Sequence, residues 1–407
     1  MSNFAFGTYR VTDLNTQHIE ALKEAIRSGI TMIDTSSNYM DGGAERAIAK
    51  VFRELDPSLR DKVEIVSKFG YIQGESLQKY KKKIAEYDQE VVKYSDECYH
   101  SISKEFMRKE LAASLERLEV QKIDCYLIHN PEYYLLDAIK RGVSKGDRLD
   151  EIYRRVQEVF VALEEEVKNG RVGSYGISSN GFSLSSRDDE FFPYEDLLTL
   201  AQNAASIVQN SIHSFTTIQL PINILEVGGL ACASWAKKSG LRVLANRPFN
   251  AKYNGKMYRL CDYDESRDYY YYLNELMEVC NSDRFRPLYN LIEQLDLTKH
   301  RFAWIGDYDL FLVSQILPYM KKTLELLDEK ELELILNYID LYLQEYKKMV
   351  SFECSKNTRT ELGEFFYGCH STMQECAIKF LIESDLIDYI IVGMRKPSYV
   401  DEILSLK

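Results

Sequence analysis

Short apolar runs recur along the chain, and most are closed by a polar residue. They are "FAFG" at residues 4–7, "TMIDTS" ending at Ser36, "VEIVSK" at Lys68, "IDCYLIH" at His129, "GSYGIS" at Ser178, "SIVQNS" at Ser211, "LRVLANRP" at Pro248 and "DYIIVGM" at Met394. Runs this short and this apolar predict parallel strands buried on both faces. Between them the apolar period changes to that of a helix. "QHIEALKEAIRSG" places Ile19, Leu22, Ala25 and Ile26 on one face and stops at Gly29, and "VFVALEEEVKNG" stops at Gly170. Glycine just past the last periodic residue is a helix stop. Eight strand–helix units predict an α/β chain closed into a (β/α)8 TIM barrel, with a doubly wound open sheet as the alternative.

The spacing departs from a minimal barrel in one place above all. Strand ends at 36 and 68 are 32 residues apart, but those at 248 and 394 are 146 apart. The fold class is therefore a barrel with a large helical insertion between strands 7 and 8. The expected domains are residues 1–250 with 371–407 for the barrel and 251–370 for the insertion. Within the insertion, Leu332, Ile335, Leu336, Ile339, Leu343 and Tyr346 share one helical face. The inserted residues predict a helical subdomain that walls the cleft of the barrel, with an external buttress or subunit contact as the alternative.

Composition changes the picture only by exclusion. The 407 residues are 45% hydrophobic and 28% charged, the balance of a soluble globular protein, and the net charge is −12. An acidic chain argues against nonspecific nucleic-acid or anionic-membrane binding. The N-terminus lacks a signal pattern and no stretch reads as a membrane span, so a cytoplasmic location is expected. Eight scattered cysteines without a C-x-x-C fit reduced thiols. Cys98 with His100, or Cys369 with His370, lacks the further ligands of a tetrahedral metal site, so no metal is expected.

Polar residues at the C-terminal ends of barrel strands carry a barrel's chemistry. Here they are Asp34 with Tyr39, Lys68, and His129. A lone Asp there caps a helix, a lone Lys is solvated and a lone His packs in a core, but four on converging strand ends form a group. Tyrosine can give a proton to a carbonyl oxygen, yet its free pKa is about 10. A cation ~4 Å away at an effective dielectric of ~20 contributes ~4 kcal/mol, enough to lower that value by ~3 units. Lys68 is placed to be the cation, Asp34 to hold it, and His129 to bind the substrate oxygen. The group lacks a hydride or nucleophile source and has no activated Ser or Cys, so a bound cofactor is the natural supplier.

The blocks "IDTSSNYMDGGAERAI", "IVSKFGY", "KIDCYLIHNPE", "ALEEEVKNGRVGSYGISSNGF", "SIVQNSIHS" and "AIKFLIESDLIDYIIVGMRKPSYVDEI" occur in an order that resembles the aldo-keto reductase superfamily. The resemblance covers about residues 4–250 and 371–405. It implies NAD(P)H-dependent interconversion of an aldehyde or ketone and its alcohol. Tyr39 would be the general acid, Asp34 and Lys68 its support, and His129 the substrate orienter. It further implies cofactor contacts at Gly7, Thr8 and Tyr9, and at Ser178, Ser179 and Asn180, where the family has a Ser-Asn pair. Gln209 matches the amide partner of strand six. Asn246, with Arg247 and Pro248, stands where the family often has a stacking aromatic. Gly393, Met394 and Arg395 match a phosphate turn, Tyr399 stands at a common arginine position, and Glu402 matches an adenine contact. Arg395 and Lys396 beside the adenosine phosphate predict binding of both NADP(H) and NAD(H), with NADPH weakly preferred. The expected partner is a small carbonyl or alcohol substrate; a homo-oligomer is left open. Two rival functions are a cofactor-binding regulatory or scaffold protein with little turnover, and a lyase or hydrolase using Lys68 for a Schiff base.

Overall fold

The computed structural model describes residues 3–80, 90–325 and 329–406. The chain divides into two compact units, Met1–Pro248 with Lys379–Lys407, and Phe249–Ile378.

In the first unit eight strands close a barrel. They are β1 (Asn3–Gly7), β2 (Met32–Asp34), β3 (Glu64–Phe69), β4 (Ile123–His129), β5 (Val172–Ser178), β6 (Phe215–Pro221), β7 (Arg242–Asn246) and β8 (Tyr389–Val392). Neighbours follow chain order around the ring and every pair is parallel, β8 closing on β1 through Asn3–Tyr389 to Phe6–Val392. Ala5, Met32, Val66, Cys125, Leu127, Leu244 and Ile391 fill the interior from six of the eight strands. Parallel strands so enclosed have no solvated face, hence the continuous apolar runs. The crossover helices include Thr16–Arg27 and Lys145–Lys168. Just past them Gly29 and Gly170 take φ values of 94° and 74°, the left-handed backbone of a helix stop.

One strand differs from expectation. "SIVQNS" is not strand six: Ser206–Val208 end the helix Leu197–Val208 and Gln209 caps it at φ 63°. The strand is the next segment, Phe215–Pro221. Leu197, Ala201, Ala204 and Ala205 repeat at helical spacing and are buried, whereas "FTTIQLP" is rich in the β-branched residues that favour a pleated surface.

The second unit opens with a hairpin, Asn250–Tyr253 against Lys256–Arg259, turned by Asn254 and Gly255 at φ 48° and 77°. An Asn-Gly pair with both φ positive matches the twist of its flanking strands. Helices Tyr269–Val279, Arg286–Thr298 and Glu329–Glu361 then bury a common core that includes Leu276, Leu288, Ile292, Ile339 and Tyr346. The buried face of the long helix runs through Ile335, Ile339, Tyr342, Tyr346 and Met349, while Leu336, expected on that face, is 45% exposed. Steps of three and four residues from Ile335 reach Tyr342 and turn Leu336 outward. Cys369 and Cys376 form a disulfide with Cα atoms 6.1 Å apart, where reduced thiols were expected. The other six cysteines are buried and free.

Among the described residues no helix is long and apolar enough to cross a membrane, and no cluster of His, Cys, Asp and Glu could hold a metal ion.

Candidate active site

Strands β1 to β7 end at one rim of the barrel, and their last residues meet there. Asp34 is the final residue of β2, in register with Gly7 on β1 and Val66 on β3. Thr8 fastens this corner: its backbone N–H and its hydroxyl both donate to the Asp34 carbonyl, at 2.9 and 3.0 Å. Lys68, near the end of β3, has no exposed side-chain surface. Its ammonium donates to Asp34 Oδ2 at 2.8 Å, to the Thr35 carbonyl at 2.8 Å and to Tyr39 Oη at 3.4 Å. Three donors meet three acceptors, which is what a buried ammonium requires. Because Lys68 can only donate, the Tyr39 oxygen accepts, and its own hydrogen points away from the lysine.

Burial pulls the Lys68 pKa down, and the Asp34 carboxylate works against that shift. The tyrosine departs from expectation: Tyr39 lies well above the usual phenol value, first because it is desolvated and then because of the Asp34 charge. Lys68 and Asp34 together form a nearly neutral pair, so the lysine does not act on the phenol as an isolated cation. Tyr39 is therefore a phenol that keeps its proton across the physiological range.

His129 ends β4, with its ring edge-on to Tyr39 at 6.0 Å between centroids. Burial holds its pKa well below the usual value, with the Lys68 charge adding, so the imidazole is neutral. Its Nδ1 lies 3.2 Å from Ser36 Oγ. The four residues singled out in the sequence thus share one buried pocket of contacts.

The next strands bring in amides. Gln219 on β6 donates from Nε2 to Asp34 Oδ1 at 2.6 Å. Its Oε1 accepts from Ser178 Oγ at 2.9 Å and from Asn246 Nδ2 at 3.4 Å. Gln219, not Gln209, is therefore the glutamine of strand six: Gln209 is exposed at a helix end, ten residues earlier. Ser179 turns away and donates to Glu132 Oε2 at 2.7 Å, and the Asn180 backbone N–H donates to Glu132 Oε1 at 2.9 Å. Glu132 is buried, and desolvation raises its pKa to about 7 despite these bonds. Arg247, at φ 55°, pairs with Glu226 at 2.5 Å, and burial lowers its pKa. Pro248 is buried beside it.

The remaining expected cofactor residues are Tyr9 and those that follow β8. Tyr9 is 66% exposed, its ring edge-on to Tyr39 at 5.2 Å. Gly393 and Arg395 are exposed after β8, and Met394 is buried. The helix Pro397–Leu404 follows, with Tyr399 and Glu402 on its surface and the Lys396 ammonium 5.6 Å from the Tyr399 ring centroid. Gln219, Glu132 and Ser36 were missed in the sequence. The β-branched "FTTIQLP" marks the first, and the carboxylate three residues after His129 in "HNPE" the second; Ser36 closes an apolar run, but nothing sets it apart from the other serines there.

A (β/α)8 barrel with this strand-end group defines an aldo-keto oxidoreductase architecture, and the family comparison agrees. The model of the aldo/keto reductase family matches residues 3–214, more than half of the chain, and the protein belongs to that family, which works with NAD(P)H. A relative from Escherichia coli (strain K12), an NADH-specific methylglyoxal reductase, is 30% identical over 138 residues, 32% of this chain and 38% of its own length. The 6-dehydroglucose reductase of Agrobacterium fabrum is 27% identical over 183 residues, 44% of this chain and 50% of its own. The matches thus span half or less of these curated relatives. Among solved structures, the glycerol dehydrogenase AKR11B4 from Gluconobacter oxydans overlaps 99% of this chain and 85% of its own at 15% identity, with a TM-score of 0.49.

Proposed function

We propose that the protein reduces an aldehyde or ketone with NADPH or NADH, Tyr39 delivering the proton. The observation that carries this reading is the Lys68 ammonium, which binds Asp34, Thr35 and Tyr39 at once in a buried site. The residues present fit a nicotinamide group. Ser178, Gln219 and Asn246 form a connected row of amide-sized partners, and Asn246 Oδ1 and Arg247 Nε are buried without a partner of their own. Bound there, the cofactor supplies the hydride for the carbonyl carbon. The chain's own residues do the rest. Neutral His129 orients the carbonyl oxygen without adding a charge. Tyr39 holds its proton until that oxygen becomes more basic than a phenolate, then releases it from the hydrogen that Lys68 has turned outward. The Lys68 ammonium steadies the phenolate left behind, and Asp34 keeps the ammonium charged.

On this reading Lys68 is an electrostatic partner and not a Schiff-base nucleophile, since its three donors are engaged. Arg395 and Lys396 favour acceptance of both cofactors, with a weak preference for NADPH. The helical unit Phe249–Ile378 is an insertion in the barrel between β7 and β8. The test is titration with NADH and NADPH followed by a panel of small aldehydes and ketones. Oxidation of either nucleotide that depends on an added carbonyl supports the proposal. Failure to bind either nucleotide overturns it.

A further inference from the structure

One helical stretch of the second unit is apolar on two sides. It runs through Ile305–Phe311, the π-helical turn Leu312–Ile316 and Leu317–Leu324. Tyr308, Ile316, Met320 and Leu324 are buried in the core of the unit. Leu310, Val313 and Leu317 recur at steps of three and four along another side and are 70%, 65% and 43% exposed. Ser314, Gln315, Pro318 and Tyr319 are exposed with them, and no charged residue falls between Leu310 and Met320. A helix that lies on a protein surface normally turns a charged face to water, and one that is apolar all round is covered on both sides. Charge returns at the two ends, with opposite signs. Asp307 is exposed seven residues before Ser314, and Lys321 is exposed seven residues after it, with Lys322 beside it. At ~1.5 Å per residue each charge stands ~10 Å from Ser314 along the axis. Asp309, also at the acidic end, is held by Lys347.

We infer that this face is the contact between two copies of the chain, packed as an antiparallel helix pair about a two-fold axis near Ser314. Across a two-fold axis, a position before Ser314 meets the position equally far after it, and each such pairing occurs twice. Val313 then packs beside the partner's Val313, and Leu310 beside the partner's Leu317. Asp307 faces the partner's Lys321. A parallel pair would set acid against acid and lysine against lysine, so the order of charges selects the antiparallel one. The chain carries a net charge of −12, so two copies repel over most of their surface. An uncharged stripe that ends in complementary charges is where they can meet. A lipid surface fits less well, since a helix that lies in a membrane interface carries a basic polar face and this one carries an acid at its start. The contact is independent of the reaction proposed above.

Sedimentation velocity on the whole protein, from about 1 to 500 µM, tests the contact, because a dimer forms by mass action. The wild type should pass from monomer to dimer across that range. Val313→Asp sets a carboxylate beside the axis and should weaken the dimer by at least about tenfold. Leu310→Asp is the second variant should the first not fold; both positions are exposed, so the circular dichroism spectrum should not change. Lys321→Glu with Lys322→Glu should weaken the dimer by about three- to tenfold, and adding Asp307→Lys should restore it. A wild type that stays monomeric at every concentration overturns the proposal, as does a dimer that Val313→Asp leaves intact. A dimer that Asp307→Lys does not restore overturns the antiparallel arrangement. A monomeric wild type that sediments with vesicles of phosphatidylcholine, and loses them in Val313→Asp, would assign the face to lipid and overturn the proposal as well.

Discussion

In the barrel unit the buried polar side chains include Lys68, Asp34, Glu45, Glu132 and Glu164. Each is held by a hydrogen bond or ion pair, as Glu45 is by Ser67 at 2.7 Å and Arg117 at 2.6 Å. In the helical unit the most deeply buried polar side chains are tyrosines. Tyr269 donates to Asp296 and Tyr346 to the Leu295 carbonyl, but the Tyr308 hydroxyl has no partner. A charge taken out of water needs compensation of several kcal/mol, and a hydroxyl far less. The barrel therefore sets each of these charges in a network, some at the strand ends, as for Lys68 with Asp34, and some against the surrounding helices, as for Glu45 with Arg117. The helical core, built mainly on tyrosines, leaves the Tyr308 hydroxyl without a partner, as the barrel leaves that of Tyr126.

The comparison can be tested from its strongest side. Tyr39→Phe removes only a hydroxyl, yet turnover should fall by about 10²–10⁴, the usual worth of a positioned general acid, with nucleotide affinity unchanged. Steady-state kinetics on a confirmed substrate checks this, and a wild-type rate in the variant would remove Tyr39 from the mechanism. Next comes Lys68→Met, which strands the Asp34 charge in the core. Stability should drop by about 3–5 kcal/mol, read from the denaturant midpoint.

Glu132 gives a pH-dependent version of the same contrast. Its folded pKa of about 7 lies above the usual 4.5, so the folded state holds the extra proton between those values. Stability from this group is present at low pH and is lost as pH rises through about 7, by roughly 3 kcal/mol in all. Glu132→Gln, which mimics the protonated acid, should be more stable than wild type at pH 8 and should flatten that slope. Tyr308→Phe, at the other pole, removes an unsatisfied buried hydroxyl. It should leave the midpoint unchanged or raise it by about 1 kcal/mol. The smallest effect is that of Gln209→Ala, an exposed helix cap, which should bind nucleotide as wild type does. Gln219→Ala should bind it more weakly.

What the chain announced in advance follows the same division. Asp34, Lys68 and His129 were legible because each interrupts an apolar strand at its end, where a core alone would put another apolar residue. The barrel followed from the repetition of such strands, and seven of eight were placed. Strand six failed because "SIVQNS" is apolar enough to pass for a strand, and only the period of the twelve residues from Leu197 to Val208 reveals the helix. Gln209 was misassigned for that reason alone. The pattern gives the positions of Glu132 and Ser36 but not their partners, which are distant in sequence, Ser179 and His129. The direction of the Tyr39 shift was misjudged because a sequence shows the lysine nearby but neither the burial that desolvates the phenol nor the closeness of the Asp34 charge. In the helical unit the periodicity located the long helix, yet its choice of Tyr342 over Leu336 depends on packing partners such as Tyr269, whose ring centroid lies 6.1 Å away.

The buried Asp34–Lys68 pair bears on how such a site can decay over evolutionary time. Losing either charge singly leaves the other stranded, so drift cannot remove the pair by one step without endangering the fold. The pair would persist in a descendant that no longer turned over substrate, so it is the pair together with Tyr39, and not the pair alone, that speaks for turnover. Tyr39 is under no such protection. Its hydroxyl receives one long hydrogen bond of 3.4 Å from Lys68, and phenylalanine would fill the same space. Once selection for turnover relaxed, it would be among the first of the four to go. On the proposed mechanism, Tyr39 is thus the residue whose loss would turn a reductase into a retained scaffold.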